Sequence, residues 1–310
     1  MGDDVPCAYA IQYAALNGNI DLVRLLLAAG ANVDSRISTD LGDTPLQIAA
    51  SRGDVPMTRM LLTHNASVNV PPGKYSGRTA IQAAAAQGNT ELVLMLLHAK
   101  ADINAPAGWQ YGRTALQAAV EKSHLGIAML LLGMGADINA KPGFRGGVTA
   151  LQAAAISGDL GMLKILLLEN GAEVNTPATE NVGTALQIAI LNEQVEIADL
   201  LIDHGADINA PPAGNRGATA LQAAALHGYC ALAMRLLEKG ADVAAEPSPV
   251  CGRSAIDGAA ENGHLDMVQL LLNAYGDETD LELVCRAAAS AAEGEGHLDV
   301  MKWLEGYVYS

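Results

Sequence analysis

Aromatic side chains are scarce in this chain of 310 residues: they make up 4% of it, as one Phe, two Trp and eight Tyr. Half of the residues are nevertheless apolar. The core must therefore be built from Ala and Leu, with close backbone approach in place of bulky rings, and the few aromatics are left for other work. Cysteine is also rare. Cys7, Cys230, Cys251 and Cys285 make no CxxC pair, which argues against a disulfide-stapled secreted scaffold and for reduced thiols in the cytosol or the nucleus. No positively charged apolar leader opens the chain, and no run of about eighteen apolar residues occurs, so nothing announces export or a membrane span. Positive charge is the minority sign: 18 Lys and Arg face 34 Asp and Glu, a formal charge of -16. Such a balance opposes nucleic-acid phosphates and anionic membranes unless the charges segregate.

Catalytic signatures are missing as well. There is no HExxH, no nucleophile elbow, no GxxxxGK[ST] loop and no paired Cys/His metal spacing. The expectation is a protein with no catalytic residue, no metal and no cofactor. Glu121 and Glu261 are acid/base residue types, but they lie four repeat units apart, too far to share one reacting bond.

What is present is a period. Thr44-Pro45-Leu46-Gln47, Thr79-Ala80-Ile81-Gln82, Thr114-Ala115-Leu116-Gln117, Thr149-Ala150-Leu151-Gln152, Thr184-Ala185-Leu186-Gln187 and Thr219-Ala220-Leu221-Gln222 recur every 35 residues. Tyr9-Ala10-Ile11-Gln12 and Ser254-Ala255-Ile256-Asp257 keep the same register, so units start near 9, 44, 79, 114, 149, 184, 219 and 254. A period of this length marks stacked units whose apolar faces are covered only by their neighbours. Within a unit the pattern predicts a short Ala-rich helix after the Thr, a turn at a Gly such as Gly88, and a second helix with paired leucines such as Leu96-Leu97. The Thr is the expected helix N-cap. Each Gln, because it repeats, is expected to hold backbone at the base of the following loop rather than to form a site. The second helix stops at Gly30, Gly135, Gly171, Gly205 or Gly240, and at Asn65 and Lys100 in two units. A Lys in that left-handed position costs about 1 kcal/mol relative to Gly.

These units resemble the ankyrin repeat, with its Thr-Pro-Leu-His, Ala-Ala, Gly, Leu-rich helix and Gly-Ala-Asp-Val-Asn order. The resemblance runs clearly from residue 9 to about 275. It implies an all-α ankyrin-repeat solenoid of helix-turn-helix units with β-hairpin-like finger loops, about nine repeats, in a single array over 1–310. The departures are consistent: the His is Gln in seven units and Asp257 in the eighth, and Pro survives only as Pro45. The Thr-Ala-Leu-Gln form, with a period longer than the usual ~33, is similar to arrays found in large multidomain fungal proteins. At the start of the chain the first unit carries no evident polar cap, which suggests a piece of a longer protein or an end covered by something else. At the other end, 277–310 reads as a degenerate capping repeat, since eleven acids and two bases follow from Asp257 onward.

In stacks of this kind the variable positions are free to bind. They are the finger loops and the two residues before the mid-unit turn, on the concave face. Of the 18 basic residues eight lie in fingers: Arg36, Lys74, Arg78, Arg113, Lys141, Arg145, Arg216 and Arg253. Only Asp40, Asp43, Glu180 and Glu246 oppose them. Tyr75, Trp109, Tyr111 and Phe144 sit in the same loops, and Arg with aromatics is the usual composition of an interface anchor. Ile156, Leu191 and Leu226 would form an apolar stripe on the concave face, beside His227, the one His at a variable position. The expected binding surface is thus Lys74, Tyr75, Arg78, Trp109, Tyr111, Arg113, Phe144, Arg145, Ile156, Leu191, Leu226 and His227. Its partner is a protein or peptide of acidic character bound by a monomer. The alternative is a small-ligand or enzyme pocket under the fingers, with His227 or Glu121 moving protons.

Overall fold

The structure, a computed structural model, describes residues 5–36, 42–73, 77–275 and 280–308, with the backbone alone at 5–8 and 308. It divides into two compact units, Met1–Ala172 and Glu173–Ser310. Both are helical, and among the described residues there is no strand.

In the first unit the inner helices Pro45–Arg52, Ala80–Gln87, Ala115–Glu121 and Ala150–Ser157 pack in sequence order, each against the next. Small side chains permit this. Ala83, Ala84 and Ala85 in one such helix are buried, as are Ala118, Ala119 and Val120 in the next. The outer helices Val55–Thr63, Thr90–His98 and Leu125–Gly133 bury one face, for example Leu92, Val93 and Leu96. In the second unit Ala185–Leu191, Ala220–Leu226, Ala255–Glu261 and Leu281–Gly294 succeed one another in the same way, and Leu298–Val308 closes the last pair. Leu281–Gly294 and Leu298–Val308 are the two helices in the segment 277–310; residues 276–279 lie outside the described residues.

The repeated side chains do what their repetition implies. Thr44, Thr79, Thr114, Thr149, Thr184 and Thr219 each cap an inner helix and complete a capping box with the Gln three residues on. The amide of that Gln then reaches forward: Gln82 donates to Ala105 O at 3.0 Å, and Gln187 to Ala210 O at 2.8 Å. Ser254 caps its helix with Asp257 in the Gln position. On the outer loops Asn104 accepts from the N–H of Asp137 at 2.8 Å and donates to Gly135 O at 3.1 Å, tying one loop to the next. The repeated buried amides from Gln47 onward are thereby paired with the backbone framework, as burial requires.

Three departures have local causes. The first helix, Val5–Leu16, runs straight through Tyr9; a Tyr side chain offers no short oxygen to cap at that point, and Gln12 Oε1 is buried without a partner among the described residues. The outer helix that starts at Leu160 contains one residue more than its equivalents and takes it up in a π-helical turn, Ile165–Glu169, where Asn170 Nδ2 donates to Ile165 O at 2.9 Å. The next finger is one residue shorter, which restores the period. The fingers are not hairpins among the described residues. They join their neighbours through isolated parallel bridges, Gln110 with Arg145 and Asn215 with Val250, in each case residues one period apart.

Candidate functional site

The bridge at Gln110 assembles the aromatic fingers of the first unit. Tyr111 N donates to Arg145 O at 2.7 Å and Arg145 N to Trp109 O at 3.1 Å. Because the pairing joins equivalent positions, Trp109 and Phe144 come face to face, with centroids 5.6 Å apart and planes 11° from parallel. Arg145 adds its guanidinium, with Cζ 5.7 Å from the Trp109 ring centroid. Tyr111 takes φ 49, and its ring lies over Gly146, where a Cβ would fall 2.4 Å from Cε1; a larger residue there would have to displace the ring. These rings remain open to solvent: Trp109 is 47% exposed, Tyr111 72% and Phe144 74%. A stacked pair of that exposure is held in place by backbone rather than by burial, and it presents apolar area already ordered.

Arg113 has a different part. Its Nε pairs with Glu121 and its Nη1 donates to the carbonyls of Tyr111, Gly112 and Gly146 at 3.2, 3.1 and 3.1 Å. With 13% of its side chain exposed, it fastens two fingers to the inner helix and has little edge left for a partner. Arg253 and Glu261 repeat the arrangement in the second unit at 2.6 Å. That spacing, an Arg eight residues before a Glu in two units in phase, was the sequence signal for it. Glu121 is accordingly committed to an ion pair. Arg78, at the position equivalent to Arg113, is exposed, while Lys74 and Tyr75 lie outside the described residues.

On the concave side Ile156 is 42% exposed in the first unit. Leu191 and Leu226, in the second, are half-buried, and Leu226 Cδ2 lies where it would come within 3.0 Å of a Cβ on Gly258. Packing against a glycine in the next inner helix thus withdraws from the surface part of the stripe expected there. His227 is half-buried, stacked on Tyr229 at 5.5 Å, with Nδ1 3.8 Å from Glu193 Oε1. Desolvation, then the Glu193 carboxylate, hold the Tyr229 phenol above its usual range.

Charge separates between the units. Residues 1–172 carry 12 bases and 13 acids, and residues 173–310 carry 6 and 21. Within the first unit's fingers there are six bases and two acids, so the aromatic loops stand in a locally positive edge. No group of three or more His, Cys, Asp or Glu among the described residues is placed to hold a metal ion. None of the described helices is long and apolar enough to cross a membrane.

A comparison with curated proteins returned no match. The family profile described as Ankyrin repeats (3 copies) matches residues 11–107, 105–178, 176–247 and 211–282, which is most of the chain and agrees with the capped helix pairs, the Gln anchors and the Asn loop ladder. The chain belongs to the ankyrin-repeat family.

Proposed function

We propose that the protein is a non-enzymatic interaction module whose first unit captures an acidic segment of a partner protein on its fingers. The observation that carries this is the Trp109–Phe144 stack with Arg145 beside it, ordered yet largely exposed. Ankyrin repeats are in general protein-protein interaction modules, and exposed Trp, Phe and Arg are the side chains that dominate interface energies. The six bases against two acids in these fingers favour an anionic partner and speed its approach. Arg78, Lys74, Tyr75 and Ile156 extend the surface, while Arg113 positions it. In this reading the chain acts as a monomer in a reducing compartment, cytosol or nucleus, where Cys230, Cys251 and Cys285 stay free thiols. It forms part of a larger multidomain fungal protein, an inference that rests on the Thr-Ala-Leu-Gln form alone.

The test is capture from extracts of the source organism with the wild-type chain and with Trp109→Ala/Tyr111→Ala/Phe144→Ala. A protein retained by the first and released by the second, with unchanged far-UV circular dichroism, supports the reading. Arg145→Ala should weaken capture and reduce its salt dependence. Equal retention by wild type and triple variant rules this surface out.

A further inference from the structure

Halfway through a unit the chain turns in the left-handed region, and Gly18, Gly53, Gly88, Gly158, Gly228 and Gly263 make that turn with φ between 67 and 75. A second constraint favours glycine there. The imidazoles of His124 and His264 sit on the turn of the preceding unit, where a Cβ on Gly88 or Gly228 would fall 2.6 or 2.8 Å from the ring. Glu193 breaks the rule, since it holds φ 62 with a full side chain. In the next unit Tyr229 stands in register with those imidazoles. It is the N-cap of the outer helix Cys230–Glu238 and makes no capping bond, whereas Asn19, Asp54, Asn89 and Asp159 at the same place each accept a backbone N–H. Both residues work against the stability of the repeat, and such departures gather where a side chain serves something other than the fold.

The two side chains meet. The Tyr229 hydroxyl interacts with the Glu193 carboxylate, and the Tyr229 ring is stacked on His227 with centroids 5.5 Å apart and planes 20° from parallel. His227 Nδ1 lies 3.8 Å from Glu193 Oε1, beyond hydrogen-bond length. The carboxylate is not used up by these contacts. Its side chain is 67% exposed, and a carboxylate offers about four acceptor positions. Leu191 and Leu226, both half-buried, end the two inner helices at this place.

The charge around the cluster has one sign. From 173 to 234 the only base is Arg216, in a finger, against seven acids, and the inner helices Ala185–Leu191 and Ala220–Leu226 carry no charge. The bases that follow are engaged or distant: Arg235 is paired with Asp199 and Asp203, Arg253 with Glu261 at 2.6 Å, and Lys239 stands at the far end of the outer helix. Among the described residues no Lys or Arg pairs with Glu193.

The geometry points to a docking site for an arginine side chain of a partner protein, its guanidinium against the His227–Tyr229 stack and bonded to the Glu193 carboxylate, its stem beside Leu226. A guanidinium suits the place because it is planar, stacks on rings and presents two parallel N–H groups to a carboxylate, while its methylenes cover apolar surface. The site lies wholly in the second unit, uses no finger residue and calls for the opposite charge to the one the fingers attract.

The probe is a library of phage-displayed peptides of about 12 residues, selected in parallel on the full chain and on its Glu193→Gln variant. Sequences retained by the wild type alone should share an Arg. For their synthetic forms, followed by fluorescence anisotropy, Glu193→Gln should weaken binding at least about tenfold, and citrulline in place of the Arg should do the same. The two changes together should weaken it little further, which identifies the pair. Glu193→Gly should lose as much, yet unfold no earlier than wild type on heating because glycine relieves the positive φ, so a folding defect does not account for the loss. Trp109→Ala/Phe144→Ala should leave the affinity unchanged. A selection without peptides specific to the wild type, peptides with no common Arg, or losses that simply add overturns the inference. So does binding that disappears on Trp109→Ala/Phe144→Ala, which assigns the peptides to the fingers.

Discussion

Gln117 donates from Nε2 to the carbonyl of Ala140 at 2.8 Å while its Oε1 accepts the N–H of Thr114 at 3.0 Å, with its side chain buried. One amide therefore closes the cap of its own helix and anchors the loop that follows. Gln117→Met keeps the volume and removes both bonds. It should cost about 2–3 kcal/mol in urea unfolding, because a buried donor and a buried acceptor lose their partner together. A loss within experimental error would mean that water or relaxation replaces the amide.

Lys100, Ser123 and Glu193 hold φ of 68, 55 and 62, a region that disfavours any residue with a Cβ. Lys100→Gly and Ser123→Gly should each stabilise the protein by about 1 kcal/mol, after allowing for the extra freedom of Gly in the unfolded chain. Glu193→Gly should give less. Its carboxylate lies 3.8 Å from His227 and interacts with Tyr229, so relief of strain is offset by lost contacts. Thermal unfolding of the three variants side by side distinguishes the two cases.

The imidazole of His124 sits on the turn of the preceding unit: a Cβ on Gly88 would fall 2.6 Å from its Cε1, and Nε2 lies 3.2 Å from Ala86 O. Gly88 also has φ +75. Gly88→Ala should therefore cost about 2 kcal/mol, part backbone and part collision. Adding His124→Ala should return the collision part only. A double-mutant cycle with no coupling would show that the ring moves aside freely.

Asp43 titrates against the usual trend. Burial raises its pKa, and nearby Arg36 and Arg78 offset this only partly. A carboxyl whose folded pKa lies above its unfolded one keeps its proton longer in the native state, so its contribution to stability falls as pH rises through the upper carboxylate range. Asp43→Asn should thus be more stable than wild type at neutral pH, and the difference should vanish once the medium is acid enough to protonate Asp43 in both states. Denaturant midpoints across that range check the sign.

Much of this was legible in the sequence because repetition names structural residues. Thr114 and Gln117 repeat, and they cap and anchor; Lys100 replaces a stop glycine, and it takes the left-handed conformation. Even the late Gly171 and the short finger after it announced an added and a missing residue, although not the π turn that reconciles them. Contacts between units left weaker traces. Arg113 and Trp109 both look like binding residues from composition, and only the path of the chain shows one turned back onto Glu121 and the other outward. The hairpin expected of each finger gave way, among the described residues, to bridges between fingers, since proline removes donors within the loop and an equivalent backbone lies one period away to pair with instead. Tyr9 kept the register without the capping oxygen, so the register alone could not tell that the first helix passes through it.

Trp109 and Phe144 occupy the same place in successive units. A duplication of one 35-residue segment carrying such a ring would add a third rung to the same column without inventing any new junction, whereas an insertion of any other length would throw the column out of step unless, as after Leu160, a compensating deletion followed. Lengthening the recognition edge is thus a copying event, and altering its chemistry a matter of single substitutions on a ladder already built.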